Sequence, residues 1–480
     1  MSRTTRLVFV LACLAAAPRA LGGQAPPPPV DPGLVFAATS TDDARSEAAL
    51  AEIAKVWRDS YTSMLIDIVR LLRPPGAGAG ADPYTVDLGG AGGPAGAHPA
   101  RQRILDFLGR MTGQPFGDDL GAWREWMWDL PYEPHPQQMA FKAAVYRTID
   151  PRMAEFFTNR SIIRLDEIDW GGVTVNGIPP LTSPTVIRAA DAGWLEDSHL
   201  VFGVTVNGEA RAYPKRILAW HEMAHDTVGG VPLTIVYCTL CGTVIPYRSV
   251  VGGVHRTFGT SGLLYRSNKL MFDAETKSLW STLEGRPVVG PLAGEPLTLE
   301  MEPVVTTTWG EWRRQHPDTG VISIDTGFER DYSEGAAYRD YFATDRLMFR
   351  VSRRDSRLNN KDEVLGLLLP ARGGGRQAVA FSAAFLAATP VHHASYEGLE
   401  LVVVTSAQGA NRVYDAGPVR FVRLDGDGRV VDTAGRRWEV TEAALVPPDG
   451  APAGPRPRRS AFRAFWFGWF AQFPDTELVK

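Results

Sequence analysis

The sequence predicts an α+β protein: a helical N-terminal region followed by a mainly β domain that contains two related β-rich units. Three observations carry this expectation. Apolar residues recur at three- and four-residue spacing from Ser40 to about Glu155, and short β-rich runs punctuated by Gly, Pro and Asn begin after Phe157. Residues from Leu200 onward are also echoed, in order, by residues from Val364 onward.

Residues 1–22 read as a signal peptide. Arg3 and Arg6 precede an apolar run from Leu7 to Ala17 and a small-residue exit at Ala20-Leu21-Gly22, so the chain is expected to be exported, to a periplasmic or extracellular location. Acylation at Cys13 as a lipoprotein is the alternative, although Cys13 would divide the apolar run. Residues 23–39 read as a Pro-rich linker.

Residues 40–156 form the helical N-terminal region. Leu50, Ile53, Val56 and Trp57, then Met64, Leu65, Ile68 and Val69, mark its first helices, and Ile104, Leu105, Leu108 and Met111 a later one. A Gly/Ala/Pro-rich stretch, 74–99, reads as a flexible loop between them. Trp123, Trp126 and Trp128 are expected to pack rather than to bind.

Residues 157–345 read as the first β-rich unit and residues 346–480 as the second, which ends in an aromatic segment. Asn207-Gly208 fits a hairpin turn between two short strands. The echo pairs Asn207-Gly-Glu-Ala-Arg-Ala-Tyr213 with Gly375-Arg-Gln-Ala-Val-Ala-Phe381, Ile217-Leu218 with Phe385-Leu386, and Leu233 to Tyr237 with Leu401 to Thr405. Where the first unit continues with Cys238-Thr-Leu-Cys241, the second has Ser406-Ala-Gln-Gly409.

With 50 basic and 54 acidic residues interspersed along 480, the chain has no basic field for a phosphate backbone, and nucleic acid is not an expected partner. No run beyond the leader approaches the roughly 18 apolar residues of a membrane-spanning helix. The aromatic Ala461 to Phe473 is short and broken by Arg463 and Gln472. A chain of this length builds hydrophobic cores without covalent staples.

Cys238 and Cys241 therefore stand out. Two cysteines separated by two residues suit a redox dithiol, half of a tetrahedral metal site, or a local disulfide. Covalent haem attachment is excluded because Gly242, not His, follows Cys241. Closing so small a loop stabilises by only about 2 kcal/mol in the chain-entropy treatment, which favours chemistry over stapling. Upstream, His221-Glu222-Met-Ala-His225 satisfies H-E-x-x-H. On a helix, His221 and His225 would share a face as metal ligands and Glu222 would act as base, the pattern of a zinc metalloprotease.

The run through Ile178-Pro179-Pro180, Ala212-Tyr213-Pro214, Trp220-His221-Glu222, Gly229-Gly230 and Tyr237-Cys238-x-Leu-Cys241-Gly242 resembles a bacterial and archaeal family known as domain of unknown function 3179. So do Phe258-Gly259-x-Ser261-Gly262, Met271-Phe272-Asp273, Ser278-Leu279-Trp280 and the ending Phe473-Pro474-Asp475-Thr476. The resemblance implies no activity. It directs attention to Met271, and its usual Asn at the position of His225 separates His225 from His221. Two thiolates, an imidazole and a thioether would suit copper, and two thiolates with two imidazoles would suit zinc. Asp273 reads first as a turn former, and Ser261 lacks the surroundings of a nucleophile elbow.

The functional expectation is thus an exported protein whose Cys-x-x-Cys/His site binds a soft metal ion, copper or zinc, or acts as a redox dithiol. Cys238, Cys241 and Glu222 are its candidate catalytic residues, and Cys238, Cys241, His221, Met271 and His225 its candidate metal ligands. The alternatives are a non-catalytic secreted binding or scaffold module with a structural disulfide, and the zinc metalloprotease.

Overall fold

Local signals of the kind expected build the helical region. The computed structural model describes residues 28–72, 98–348 and 351–480, so the leader, Cys13 and nearly all of the 74–99 stretch lie outside the described residues. Asp42 caps the helix Asp43–Lys55 by accepting from Arg45 N at 2.8 Å, and Asp119 caps Leu120–Asp129 by accepting from Gly121 and Ala122. Pro99 opens Pro99–Thr112, and Gly113, left-handed, closes it. With Thr62–Leu71 and Gln138–Arg147 these helices bury Ile53, Leu65, Val69, Ile104, Leu108 and Trp123. Within the stretch read as a linker, Pro32–Ala37 is a short helix whose Val35 joins this core.

Buried charge ties the helices to the β region. Lys142 Nζ lies 2.6 Å from Asp67 and donates to the Ile168 carbonyl, and Arg70 and Arg124 both meet Asp169. Asp169 belongs to Ile168–Trp170, an edge strand of a six-stranded sheet. Removing one member of such a cluster strands its partners, so it sets the angle at which the helices dock.

After residue 170 the chain is mainly β, and the two series of residues that echo each other in sequence fold alike. In the first, the sheet order is Val304–Thr308, Leu200–Val206, Glu209–Pro214, Gly320–Ile322, with Val186–Arg188 added antiparallel as a fifth strand; in the second it is Phe462–Phe465, Glu363–Pro370, Arg376–Ser382, Glu477–Val479. The fourth strand joins in parallel both times. Each series then runs through a short helix, Lys215–His221 or Ala383–Ala388, into a hairpin, Met223–Val228 with Val231–Cys238 or Val391–Tyr396 with Leu399–Thr405.

Side chains repeat as well. Gly203 and Gly366 both lack a Cβ because the indoles of Trp312 and Trp469 occupy that space. Those indoles donate to Thr319 Oγ1 at 3.0 Å and Thr476 Oγ1 at 2.9 Å. Trp280 and Trp438 donate to Asp273 and Asp432, and Tyr247 and Tyr414 donate to the carbonyls of Thr282 and Thr441. Among the described residues no helix is long and apolar enough to cross a membrane. The C-terminal aromatic segment is a strand, Phe462–Phe465, and a buried helix, Trp466–Gln472.

Candidate functional site

The strand Val231–Cys238 ends at Cys238, and the turn that follows brings Cys241 back to it. Cys241 N donates to Cys238 O at 3.2 Å, the two Cα atoms lie 5.3 Å apart, and the sulfurs are joined as a disulfide. Gly242 leaves the turn with φ +62°, and a Cβ there would come within 3.0 Å of the Phe465 ring. Phe465 N donates to Cys241 O, which fixes the turn from the far end of the chain.

The two sulfurs face different surroundings. Cys241 is sealed: it is fully buried, Gly468 lies against it, and its Sγ stands 3.3 Å from the Ser267 carbonyl oxygen, while Phe465, Phe467 and Ala471 cluster with both cysteines. Asn268 Oδ1, close to Gly468, is buried with no hydrogen-bond partner among the described residues. Cys238 instead lines a small pocket of about 50 Å³ with Val173, Ile178, Leu240 and Leu263 on its walls and Glu222 and Lys269 among its polar groups.

Lys269 is the functional-site residue that sequence reasoning missed. Its Nζ donates to Glu222 O at 2.9 Å and Tyr237 O at 3.0 Å and lies 3.3 Å from Glu222 Oε2. Burial pushes its pKa down, and Glu222 opposes that shift. A lysine inside Asn268-Lys-Leu-Met-Phe-Asp273, buried at every position, was the available signal.

The structure separates the other candidates. The helix Lys215–His221 ends at His221; Glu222 is left-handed at φ +55°, and Met223–Val228 is a strand. His221 and His225 therefore do not share a helical face, and the geometry of the metalloprotease pattern is not formed. The β-branched and turn-forming residues downstream, Thr227-Val228-Gly229-Gly230, favour the hairpin over a longer helix.

His221 Nδ1 hydrogen-bonds the Pro179 carbonyl at 2.9 Å and its Nε2 pairs with the Tyr332 hydroxyl, so both ring nitrogens are engaged; burial lowers its pKa. His225 lies within the sheet, near Thr234 Oγ1 and hydrogen-bonded to the backbone of Phe258, and its pKa is also lowered by burial. Met271 is fully buried among the apolar core residues. Among the described residues no three His, Cys, Asp or Glu side chains are grouped to hold a metal ion, and these helpers do not complete the copper or zinc donor sets. Asp273 is the turn former expected, accepting from Thr276 N at 2.7 Å, and Ser261 Oγ is committed to the Leu270 carbonyl.

The second series makes the same turn without thiols. Ser406 Oγ donates to Glu311 Oε2 at 2.8 Å, where Glu311 is the third residue of the helix Trp309–Gln315. Gly468 is the third residue of the counterpart helix Trp466–Gln472 and faces Cys241. One turn is thus held by a serine and a glutamate, the other by a disulfide packed on a glycine.

No curated protein and no solved structure shows significant similarity to the chain. A family model does, over residues 175–476, the stretch that holds the first series, the cysteine turn, Lys269 and all of the second series but its last strand. The chain belongs to this family, described as a protein of unknown function, DUF3179.

Proposed function

We propose that Cys238 and Cys241 form a redox-active pair that exchanges with thiols or disulfides entering the pocket beside Cys238. The observation that carries this reading is the asymmetry of the two sulfurs: Cys238 borders the pocket, whereas Cys241 is sealed against Gly468 beside the Ser267 carbonyl. Both cysteines are buried, but only Cys238 borders the pocket, a division that suits an attacked sulfur and a resolving one. The counterpart turn at Ser406 to Gly409 supports it, since that turn folds without cysteines.

In the forward step an incoming thiolate bonds to Cys238 Sγ and the Cys238–Cys241 bond breaks, leaving the electron pair on Cys241 Sγ. Cys241 takes up the proton that the incoming thiol released and donates it toward the Ser267 carbonyl. A second substrate thiol then attacks the mixed disulfide, giving substrate disulfide and the reduced protein. The reverse sequence oxidises the dithiol. We take the chain to be exported on the strength of its leader pattern, into a compartment where the pair rests oxidised.

Mass spectrometry of the folded protein in glutathione buffers of graded potential tests the proposal. Cys241→Ser should accumulate a mixed disulfide at Cys238, and Cys238→Ser should leave Cys241 unmodified. A disulfide that resists reduction until the chain unfolds would mark it as structural and defeat the proposal. Stoichiometric copper or zinc with both thiols protected would replace it with the metal-binding reading.

A further inference from the structure

The two series differ at a second place, and the difference is a missing strand. In the first, the segment Asn176–Ser183 is threaded between the strand Met223–Val228 and the Phe258–Thr260 end of Phe258–Tyr265. Leu181 and Thr182 pair in parallel with Ala224 and His225, and Ser183 N donates to His225 O at 2.9 Å. On the other side Asn176 N donates to Thr260 O at 2.8 Å, Thr260 N donates to Asn176 Oδ1 at 3.0 Å, and Thr260 Oγ1 donates to Ile178 O at 3.0 Å.

In the second series the corresponding strands, Val391–Tyr396 and Phe421–Leu424, are the two ends of an eight-stranded sheet. Phe421 N donates to His393 Nε2 at 3.0 Å, as the Phe258 backbone meets His225 in the first, so the frame is the same. Among the described residues nothing is threaded between these ends. An open groove of about 730 Å³ stands at the Val391 end of this gap, lined by Pro390, Val391, Ser406, Ala407, Arg423 and Asp425, among others, with Asp425 ion-paired to Arg437. An unpaired strand edge beside an open groove is the arrangement that accepts an added strand.

Charge identifies what fits. Gly259 pairs with Phe272 and Arg423 with Val431, each partner immediately before the aspartate that receives a tryptophan N–H, so Arg423 stands where the first series has Gly259. A Cβ on Gly259 would lie 2.6 Å from Asn176 Oδ1. The side chain of Arg423 thus projects toward the place that the Asn176 carboxamide occupies in the first series, and Arg423 is exposed with no ion-pair partner among the described residues.

We propose that this groove binds an extended peptide of apolar and proline residues, added in parallel to His392 and His393, with an acidic side chain at its N-terminal end over Arg423. The site is independent of the cysteine chemistry. Its segment in the first series, Asn176 to Ser183, supplies the template for the occupant.

The probe is a fluorescein-labelled octapeptide, Asp-Gly-Ile-Pro-Pro-Leu-Thr-Ser, read by anisotropy against the full chain. Saturable binding is expected, with the Lys-first peptide about fivefold weaker, as for a single exposed charge contact. Arg423→Glu should reverse that order. Ala407→Trp, at an exposed turn position, should fill the groove and abolish binding while leaving the thermal melt unchanged. Hydrogen exchange should slow in Val391–Tyr396 on binding. Absence of saturable binding, binding indifferent to both substitutions, or protection confined to another strand would each overturn the proposal.

Discussion

Gly468 lies directly against Cys241: a Cβ on Gly468 would be 3.4 Å from Cys241 Cβ and 3.8 Å from its sulfur. At the counterpart position Glu311 reaches across to Ser406. The two turns have therefore exchanged which partner supplies bulk, and a side chain on Gly468 competes with the disulfide for one volume. Gly468→Glu is expected to destabilise the oxidised protein by about 2–4 kcal/mol, from overpacking and from a buried carboxylate without a partner. Urea unfolding of the oxidised variant measures this. An unchanged midpoint would mean that the turn yields more readily than its packing implies.

Lys269 gives a second expectation. Its ammonium serves two carbonyls and the Glu222 carboxylate, all removed from water. Lys269→Met leaves Glu222 charged and unpaired and should cost about 3–5 kcal/mol. The double variant Lys269→Met with Glu222→Gln should recover part of that loss, because the stranded charge is gone. A double variant as unstable as the sum of the two singles would show that Lys269 and Glu222 are not coupled.

Much of this arrangement was legible in the sequence, and the part that was not has a physical cause. Helical spacing at Leu50, Ile53, Leu65 and Val69 and the turn Cys238 to Cys241 are local patterns, and the echo of Leu233 to Tyr237 in Leu401 to Thr405 reflects a real likeness of element order. The H-E-x-x-H pattern misled because His221 ends its helix, Glu222 turns left-handed and His225 continues as a strand. Tertiary pairing across the hairpin overrode a helical spacing of only five residues. Lys269 and Gly468 escaped notice because both reach the site by packing from distant chain positions, Gly468 more than 200 residues beyond the cysteines.

The matched pairs Gly203 with Trp312 and Gly366 with Trp469 allow the likeness of the two series to be tested energetically. In each, a Cβ would fall within the indole, so the ring must move and break its hydrogen bond to Thr319 or Thr476. Gly203→Ala and Gly366→Ala should each destabilise by about 2–3 kcal/mol. Sites that share no partner residue should combine additively in the double variant. Loss of stability at one glycine only would show that the two interfaces share geometry without sharing energetics.

His316 sets the sign of a pH dependence. Its ring packs on Trp312, tilted by 41° with 4.1 Å between centroids, and burial, aided by the Arg412 and Arg458 charges, pushes its pKa down to about 4 from 6.5. Below pH 6.5 the unfolded chain takes up a proton on this residue that the folded chain refuses. Its contribution to stability is thus fully present above pH 6.5 and is lost as the pH falls from 6.5 toward 4, with a slope of up to about 1.4 kcal/mol per pH unit. Replacing His316 by Gln removes that proton from the balance. The stability difference between wild type and His316→Gln, followed by urea unfolding at pH 7, 6 and 5, should therefore shift toward the variant as the solution is acidified. A difference independent of pH would mean that His316 protonates as readily folded as unfolded, and that Arg412 and Arg458 are screened from it.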